Sequence, residues 1–362
     1  MNIIMVSCSR RGYELLETIS YKLKKIYPDC DVKCICKSEA LHVGIGEDER
    51  LADFITQSFD KVDALVFACA AGIAVRMIAP CITHKSKDPA VVVLDELGIF
   101  CIPILSGHLG GANELARCIS GLSGATPVIT TATDINSVFA IDEFARINGL
   151  YLDDFYRAKD ISRCLLDRRN IRVFSRYDIE GEVPQNVVFS VSDFSGDKYD
   201  SCKNDMPCVY IDVFDRATET ALPLVPGSLF LGVGCKKDTP YQDILSAYRE
   251  FIREYNIAEK AISGIASIDL KKDEEGLICL AEKMGVGFCT YTRDELLSVE
   301  GEFSESEFVR QVTGVDNVCE RSAVLAAERA LNTDASLLVT KKAYKGVTFA
   351  VAEAKIKLRW KG

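Results

Sequence analysis

No stretch of the chain stays apolar for the roughly 18 to 20 uninterrupted residues that a membrane-spanning helix requires. Even the region 89–105 carries Asp95 and Glu96, so a soluble chain without a membrane partner is expected. The opening, MNIIMVSCSRRGYELLE, sets a short apolar run ahead of its basic pair. That is the reverse of a secretory signal, and a cytoplasmic location is the expectation. A positive excess is missing too: 43 Lys and Arg stand against 53 Asp and Glu, for a formal charge of −10. Phosphate affinity comes from accumulated cations, so nucleic acid is not an expected partner; a small anionic ligand is not excluded. The one local cysteine cluster, Cys30, Cys34 and Cys36 with His42 beyond, lacks the CxxC spacing of a zinc knuckle. These residues alternate along a predicted strand, which suits small buried hydrophobes better than metal ligands. The fifteen cysteines are scattered and odd in number, which fits a reducing compartment rather than a disulfide framework.

What is present is enough apolar mass for more than one core: 362 residues, 48% of them hydrophobic and 27% charged. Short apolar runs (IIMVS, VKCIC, DALVFA, AVVVLD) alternate with amphipathic segments from residue 1 onward, the βα rhythm of a parallel sheet covered by helices. After PVITTATD the rhythm loosens into shorter elements through about residue 224, and it resumes with SLFLGVGC. The fold class read from this is α/β: two α/β domains with mostly parallel sheets, 1–132 and 225–362, around a smaller α/β middle unit, 133–224. At Thr239, Pro240 and Gln242 the spacing predicts an N-cap, a first-turn proline and a capping-box partner.

Three features carry chemistry. The first is SGHLGGANELA at 106–116, a glycine turn between a predicted buried strand and a helix. Gly107, Gly110 and Gly111 let backbone amides approach an anion at a helix start. His108 is either a proton-exchanging group or a satisfied buried imidazole, and Asn113 both donates and accepts; Ser106 stands two residues before His108. The second is Arg76 inside the apolar AAGIAVRMIAP. A buried guanidinium must be paired, for instance with Asp95 or Glu96, or must face a cavity and a ligand carboxylate. The third is a set of lysine pairs, Lys236 and Lys237, Lys271 and Lys272, Lys341 and Lys342, each after a predicted strand. They either frame one crevice at the carboxyl edge of a sheet or are ordinary solvated lysines. GVGCKKDT at 232–239, with Lys236 and Thr239, forms an anion cradle but has no third glycine for a dinucleotide fingerprint. Cys235 there is either a nucleophile or a structural thiol.

Taken together, AAGIAVRMIAP, KDPAVVVLDELGIFCIPILSGHLGGANELA, TPVITTATD, LGVGCKKDT, GIASIDLKKDEEGL, VCERSA and VTFAVAEAKIKL resemble the CbiG-type cobalt-precorrin 5A hydrolases of anaerobic cobalamin biosynthesis. The resemblance implies a ring-contracted cobalt tetrapyrrole substrate whose δ-lactone is opened by water, with the extruded meso carbon and its methyl leaving as acetaldehyde. It implies no cofactor and no protein metal, because the cobalt belongs to the substrate; neighbouring pathway methyltransferases are the protein partners it suggests. Under it, His108 is the expected general base or acid, the amides of Gly110 and Gly111 are oxyanion donors, and Asp269 or Glu320 is the partner acid. Arg76, Ser106, Gly110, Gly111, Asn113, Lys236, Thr239, Lys271, Lys272 and Lys341 are expected to hold the substrate. The competing class is a noncatalytic carrier of cobalt-corrinoid intermediates, which the same basic crevice would serve.

Overall fold

A computed structural model describes residues 1–84, 87–136, 138–191, 206–215 and 221–360, and the chain divides into two compact units, Met1–Arg146 and Ile147–Gly362. The first runs β1 (Asn2–Ser7), α1 (Arg10–Ile26), β2 (Asp31–Ser38), β3 (Leu41–Val43), α2 (Leu51–Ser58), β4 (Ala64–Ala68), α3 (Ala71–Ile78) and β5 (Ala90–Leu94). It continues with β6 (Phe100–Leu105), α4 (Ala112–Ser123), β7 (Thr126–Pro127), α5 (Ala132–Ile135) and α6 (Ile141–Ile147).

Its sheet has the order β3-β2-β1-β4-β5-β6-β7, with β2, β1, β4 and β5 parallel and β6 antiparallel to β5. Strands such as AVVVL read as continuous apolar runs because both sheet faces are covered. Along β1, Ile3 and Met5 pack with Leu16, Ile19, Ala112 and Ala116 of α1 and α4. Ile4 and Val6 pack on the other face with Ile55 and Phe59 and with Ala74 and Ile78 of α3. Alternation on one strand thus feeds two cores. Ser9 caps α1 by accepting the Gly12 N–H.

The second unit holds two five-stranded sheets. Its first part is β8 (Leu150–Tyr151), α7 (Phe155–Leu166), β9 (Ile171–Ser175), β10 (Ile179–Glu180), β11 (Val187–Val191), β12 (Cys208–Ile211) and β13 (Ala221–Pro226). The sheet order there is β11-β9-β12-β13-β8. Then come β14 (Leu229–Cys235), α8 (Tyr241–Glu254), β15 (Ile262–Ile268), α9 (Glu275–Met284), β16 (Gly287–Tyr291), α10 (Arg293–Leu297) and α11 (Glu307–Thr313). The chain closes with α12 (Val318–Leu331), β17 (Ala335–Tyr344), β18 (Val347–Ala354) and β19 (Leu358–Arg359). In the sheet β16-β15-β14-β18-β17, β14, β15 and β16 are parallel, while β18 runs against both β14 and β17. Strand β17 therefore points the same way as β14. Helix α12 presses on this sheet so closely that a Cβ at Gly232 would lie 1.8 Å from the Cys319 carbonyl oxygen.

The capping box expected at Thr239 does not form. The position before α8 is Pro240, without a side-chain cap, because Thr239 is engaged elsewhere: its N–H donates to Glu274 Oε1 at 3.0 Å and its hydroxyl to the Lys236 carbonyl at 2.7 Å.

Candidate functional site

The SGHLGG turn follows β6. Because β6 is antiparallel, with Leu105 opposite Val91 at the start of β5, the turn sits at the amino edge of the parallel strands rather than at the carboxyl edge where α/β sheets usually bind ligands. Its shape is forced by crowding. A Cβ at Gly110 would lie 2.4 Å from Ser106 Cβ, and Gly111 caps α4 at φ 81° in the left-handed region that favours glycine. Ser106 itself has φ 55°, and its hydroxyl donates to the Asp88 carbonyl at 2.9 Å, which pins the turn to the segment entering β5.

Within the turn, the Gly111 N–H donates to the His108 carbonyl at 3.0 Å, and the next two amides, of Ala112 and Asn113, donate to Ser106 and Gly107. The Gly111 amide is consequently not free to hold an oxyanion, a correction to the sequence expectation. Of the two glycines, only Gly110 has an N–H without an acceptor among the described residues.

His108 and Asn113 meet at a carboxylate that sequence reasoning had not singled out. Asn113 is buried, and its amide donates to Asp134 Oδ2 at 2.8 Å and to Thr131 Oγ1 at 3.0 Å. Arg117 closes on the other oxygen of Asp134. His108 Nε2 is 2.8 Å from Thr133 Oγ1 and 3.5 Å from Asp134 Oδ2. Its other nitrogen, Nδ1, is buried without a hydrogen-bond partner among the described residues and faces Glu143 Oε2 at 4.0 Å. The imidazole thus lies between two carboxylates, with one nitrogen anchored and the other aimed at a partly exposed acid. Such an arrangement holds the ring in one orientation and sets a carboxylate near each of its nitrogens. A cavity of about 670 Å³ adjoins the turn, lined by Gly110, Gly111, Leu115, Arg146, Leu23 and Tyr27 among others.

Arg76 does not belong to this group. Helix α3 leaves the carboxyl end of β4, the opposite edge of the sheet, and buries only Ala74 and Ile78. Arg76 is exposed, with Nη1 donating back to the Gly72 carbonyl at 3.1 Å. The expectation of a buried guanidinium, whether paired inside the protein or facing a cavity, is corrected, because Ile73 and Val75 on the same short helix are exposed as well.

In the second unit, Lys236 follows β14, Lys271 and Lys272 follow β15, and all lie at the sheet's carboxyl edge. Lys341 and Lys342 do not follow a strand, as the sequence suggested, but lie inside β17 as it runs toward that same edge. A Cβ at Gly346 in the β17–β18 turn would be 3.9 Å from Lys236 Cε, so Lys236 reaches this hairpin. Lys271 is half-buried and paired with the buried Glu274 at 2.8 Å, which spends much of its charge inside the protein. Lys272 is exposed. Burial pushes the Cys235 thiol up in spite of the nearby Lys271 ammonium, which favours the structural-thiol alternative over a nucleophile.

Glu320 is fully buried on α12 and accepts the Ser304 N–H, the Ser304 hydroxyl and the Lys341 N–H, each at 2.7 Å. It braces the 304 loop and β17 onto the helix. Asp269 opens the short 3-10 turn after β15, and its carboxylate has no hydrogen-bond partner among the described residues. Among those residues no group of three or more His, Cys, Asp or Glu side chains is arranged to hold a metal ion, and no helix is long and apolar enough to cross a membrane.

Fold and site together define an α/β enzyme of two units, with a glycine-turn histidine site in the first and a lysine-rich sheet edge in the second. Comparison with known proteins makes this specific. The family profile "Cobalamin synthesis G N-terminal" matches residues 53–134 and "Cobalamin synthesis G C-terminus" matches 229–352. The chain is 35% identical over 294 residues to a cobalt-precorrin-5A hydrolase of Salmonella typhimurium, covering 78% of this chain and 81% of that protein. It is 30% identical over 364 residues to the cobalt-precorrin-5A hydrolase of Priestia megaterium, covering 96% and 94%. A probable cobalt-precorrin-5A hydrolase of Methanocaldococcus jannaschii is 27% identical over 358 residues, covering 97% and 99%. The chain belongs to the CbiG family, the cobalamin synthesis G proteins.

Proposed function

We propose that this chain is a cobalt-precorrin-5A hydrolase and that His108 moves the protons of its reaction. The reading is supported by the identity to hydrolases over 81% and 94% of their lengths. Its catalytic part rests on one observation, the imidazole anchored at Nε2 by Thr133 with Nδ1 toward Glu143. His108 takes a proton from water as the water adds to the lactone carbonyl, and the amide of Gly110 is placed to donate to the oxyanion. Collapse breaks the ring C–O bond and leaves a carboxylate and a hydroxyl on the extruded carbon. Loss of that hydroxyl proton and rupture of the C–C bond give acetaldehyde, while the electron pair returns to the macrocycle with a proton. One imidazole can serve both transfers in turn, with Glu143 as the partly exposed carboxylate through which protons reach it.

Cobalt enters as part of the substrate, and no cofactor of the protein's own is needed for these steps. The exposed Lys236 and Lys272, with Lys341, take substrate carboxylates at the second unit's sheet edge; Asp269 is an acid in that region whose carboxylate has no hydrogen-bond partner among the described residues. We place the enzyme in the cytoplasm beside the methyltransferases of its pathway. The experiment that separates enzyme from carrier is incubation of purified chain with cobalt-precorrin 5A under anaerobic conditions. Stoichiometric, then catalytic, acetaldehyde is expected; tight binding of the substrate with no acetaldehyde would establish the carrier instead.

A further inference from the structure

The parallel pairing of β1 with β4 ends with Ser7 opposite Ala68, and the next residue on each strand is a cysteine, Cys8 and Cys69. Both side chains pack on the α2–α3 side of the sheet, Cys69 within that core and Cys8 against it. Neighbouring strands lie about 4.8 Å apart, inside the roughly 4.4–6.8 Å window of Cα separations that a disulfide spans. Interaction between the neighbouring thiols holds the Cys8 thiol down to about 7 and pushes the Cys69 thiol up, while the Cys69 thiol donates to the Ala70 carbonyl at 3.6 Å. Cys8 is partly exposed and Cys69 buried. The pair stands where β1 and β4 end side by side, with β2 beyond one and β5 beyond the other; this is the switch point at which crevices open in such sheets. Nothing in the lactone chemistry uses it.

We propose that Cys8 and Cys69 form a reversible dithiol–disulfide pair, with Cys8 the attacking thiol, Cys69 the resolving thiol and a low-molecular-weight disulfide such as oxidised glutathione the co-reactant. The Cys8 thiolate attacks one sulfur of glutathione disulfide, forming a mixed disulfide and releasing one glutathione thiolate, which takes up a proton. Cys69 then gives up its proton, attacks the Cys8 sulfur and expels the second glutathione. Two electrons pass from the protein dithiol to the glutathione disulfide, and reduced glutathione in excess reverses the sequence. Cys36 is the nearby thiol that should stay out of this exchange. It pairs in register with Ser7, one residue out of step with Cys8, and its sulfur is turned to the Ser9 carbonyl at 3.5 Å.

The test uses the full chain purified anaerobically, equilibrated with defined mixtures of oxidised and reduced glutathione, trapped with acid and N-ethylmaleimide, and mapped by mass spectrometry. The expected product in the unaltered protein is a crosslink between the Cys8 and Cys69 peptides that disappears in excess reduced glutathione. In Cys69→Ser the exchange should halt at the first step, so that glutathione bound to Cys8 rises about tenfold or more over the unaltered protein, whose neighbouring thiol resolves the adduct intramolecularly. A Cys8–Cys36 crosslink, or a glutathione adduct on Cys8 that persists unresolved in the unaltered protein, would overturn the assignment. The crosslink in the unaltered protein decides the matter even if Cys69→Ser folds poorly.

Discussion

Glu320→Ala removes the buried acceptor of three donors and leaves a hole the size of one methylene and a carboxylate. A hydrogen bond to a charged group contributes about 1.5–3 kcal/mol, and an orphaned buried donor costs about 1–3 kcal/mol. Ser304 is exposed, so its N–H and hydroxyl can turn to water once released, whereas the Lys341 N–H sits in a strand and cannot. The loss therefore amounts to about one stranded donor plus the cavity, roughly 2–4 kcal/mol rather than three full bonds. Glu320→Gln keeps an oxygen at the Oε1 position for Ser304 Oγ and Lys341 N, but it sets an NH2 against the Ser304 N–H, for about 1–2 kcal/mol. At about 2–4 °C per kcal/mol for a unit of this size, thermal unfolding followed by circular dichroism should shift down by about 4–16 °C for Ala and by less for Gln. Turnover per folded molecule, assayed well below the transition, should stay within a few-fold of the unaltered protein. A variant with unchanged melting and turnover reduced a hundredfold would refute the bracing role and restore Glu320 as the partner acid.

The remaining predictions concern packing and acid stability. Gly232→Ala places a methyl where the Cys319 carbonyl already stands, so it should cost about 3 kcal/mol or more, seen as lost soluble expression or a large drop in urea midpoint; a neutral result would mean that α12 does not lie on β14 as described. Asp316 is bridged by Arg321 at 2.8 and 3.1 Å, and these hydrogen bonds hold its carboxyl below the usual carboxylate range in spite of burial. Its folded pKa is depressed, so its contribution is present above the unfolded value of about 3.9 and is lost as pH falls through the folded value. The stability advantage of the unaltered protein over Asp316→Asn in urea titrations should be full at pH 7 and shrink progressively below about pH 5; an advantage independent of pH would contradict the bridge.

Much of the fold was legible because buried parallel strands announce themselves. AVVVLD and DALVFA read as strands, and β5 (Ala90–Leu94) and β4 (Ala64–Ala68) stand there. Strand direction was not legible. GIFCIPIL reads as a strand, but nothing in eight residues says that β6 runs against β5, and that reversal carries His108 to the sheet's amino edge. The end of β17 was missed because its apolar run stops at Thr340, whereas the backbone goes on pairing with β18 through Lys341, Lys342 and Tyr344. Thr239 had the local signature of a cap, but Glu274, thirty-five residues on, competes for its N–H.

The site was half legible for the same reason. The crowded glycines and His108 are local, and SGHLGGANELA shows them. Asp134, which Asn113 and Arg117 both hold from earlier in the chain, was in view in TPVITTATD but carried no role until the fold set it beside the imidazole. Glu143 lies on α6, in a stretch with no motif at all. Arg76 misled because a short apolar segment was taken as buried, whereas half of it faces solvent.

The central claim, proton transfer by His108 during lactone opening, is tested most directly by single-turnover acetaldehyde release from saturating cobalt-precorrin 5A in His108→Ala. General acid–base catalysis is worth about 10²–10⁴-fold, so the account predicts a rate at least about a hundredfold below the unaltered protein, with substrate affinity and melting temperature little changed. An unchanged single-turnover rate, or a loss confined to affinity, would contradict it.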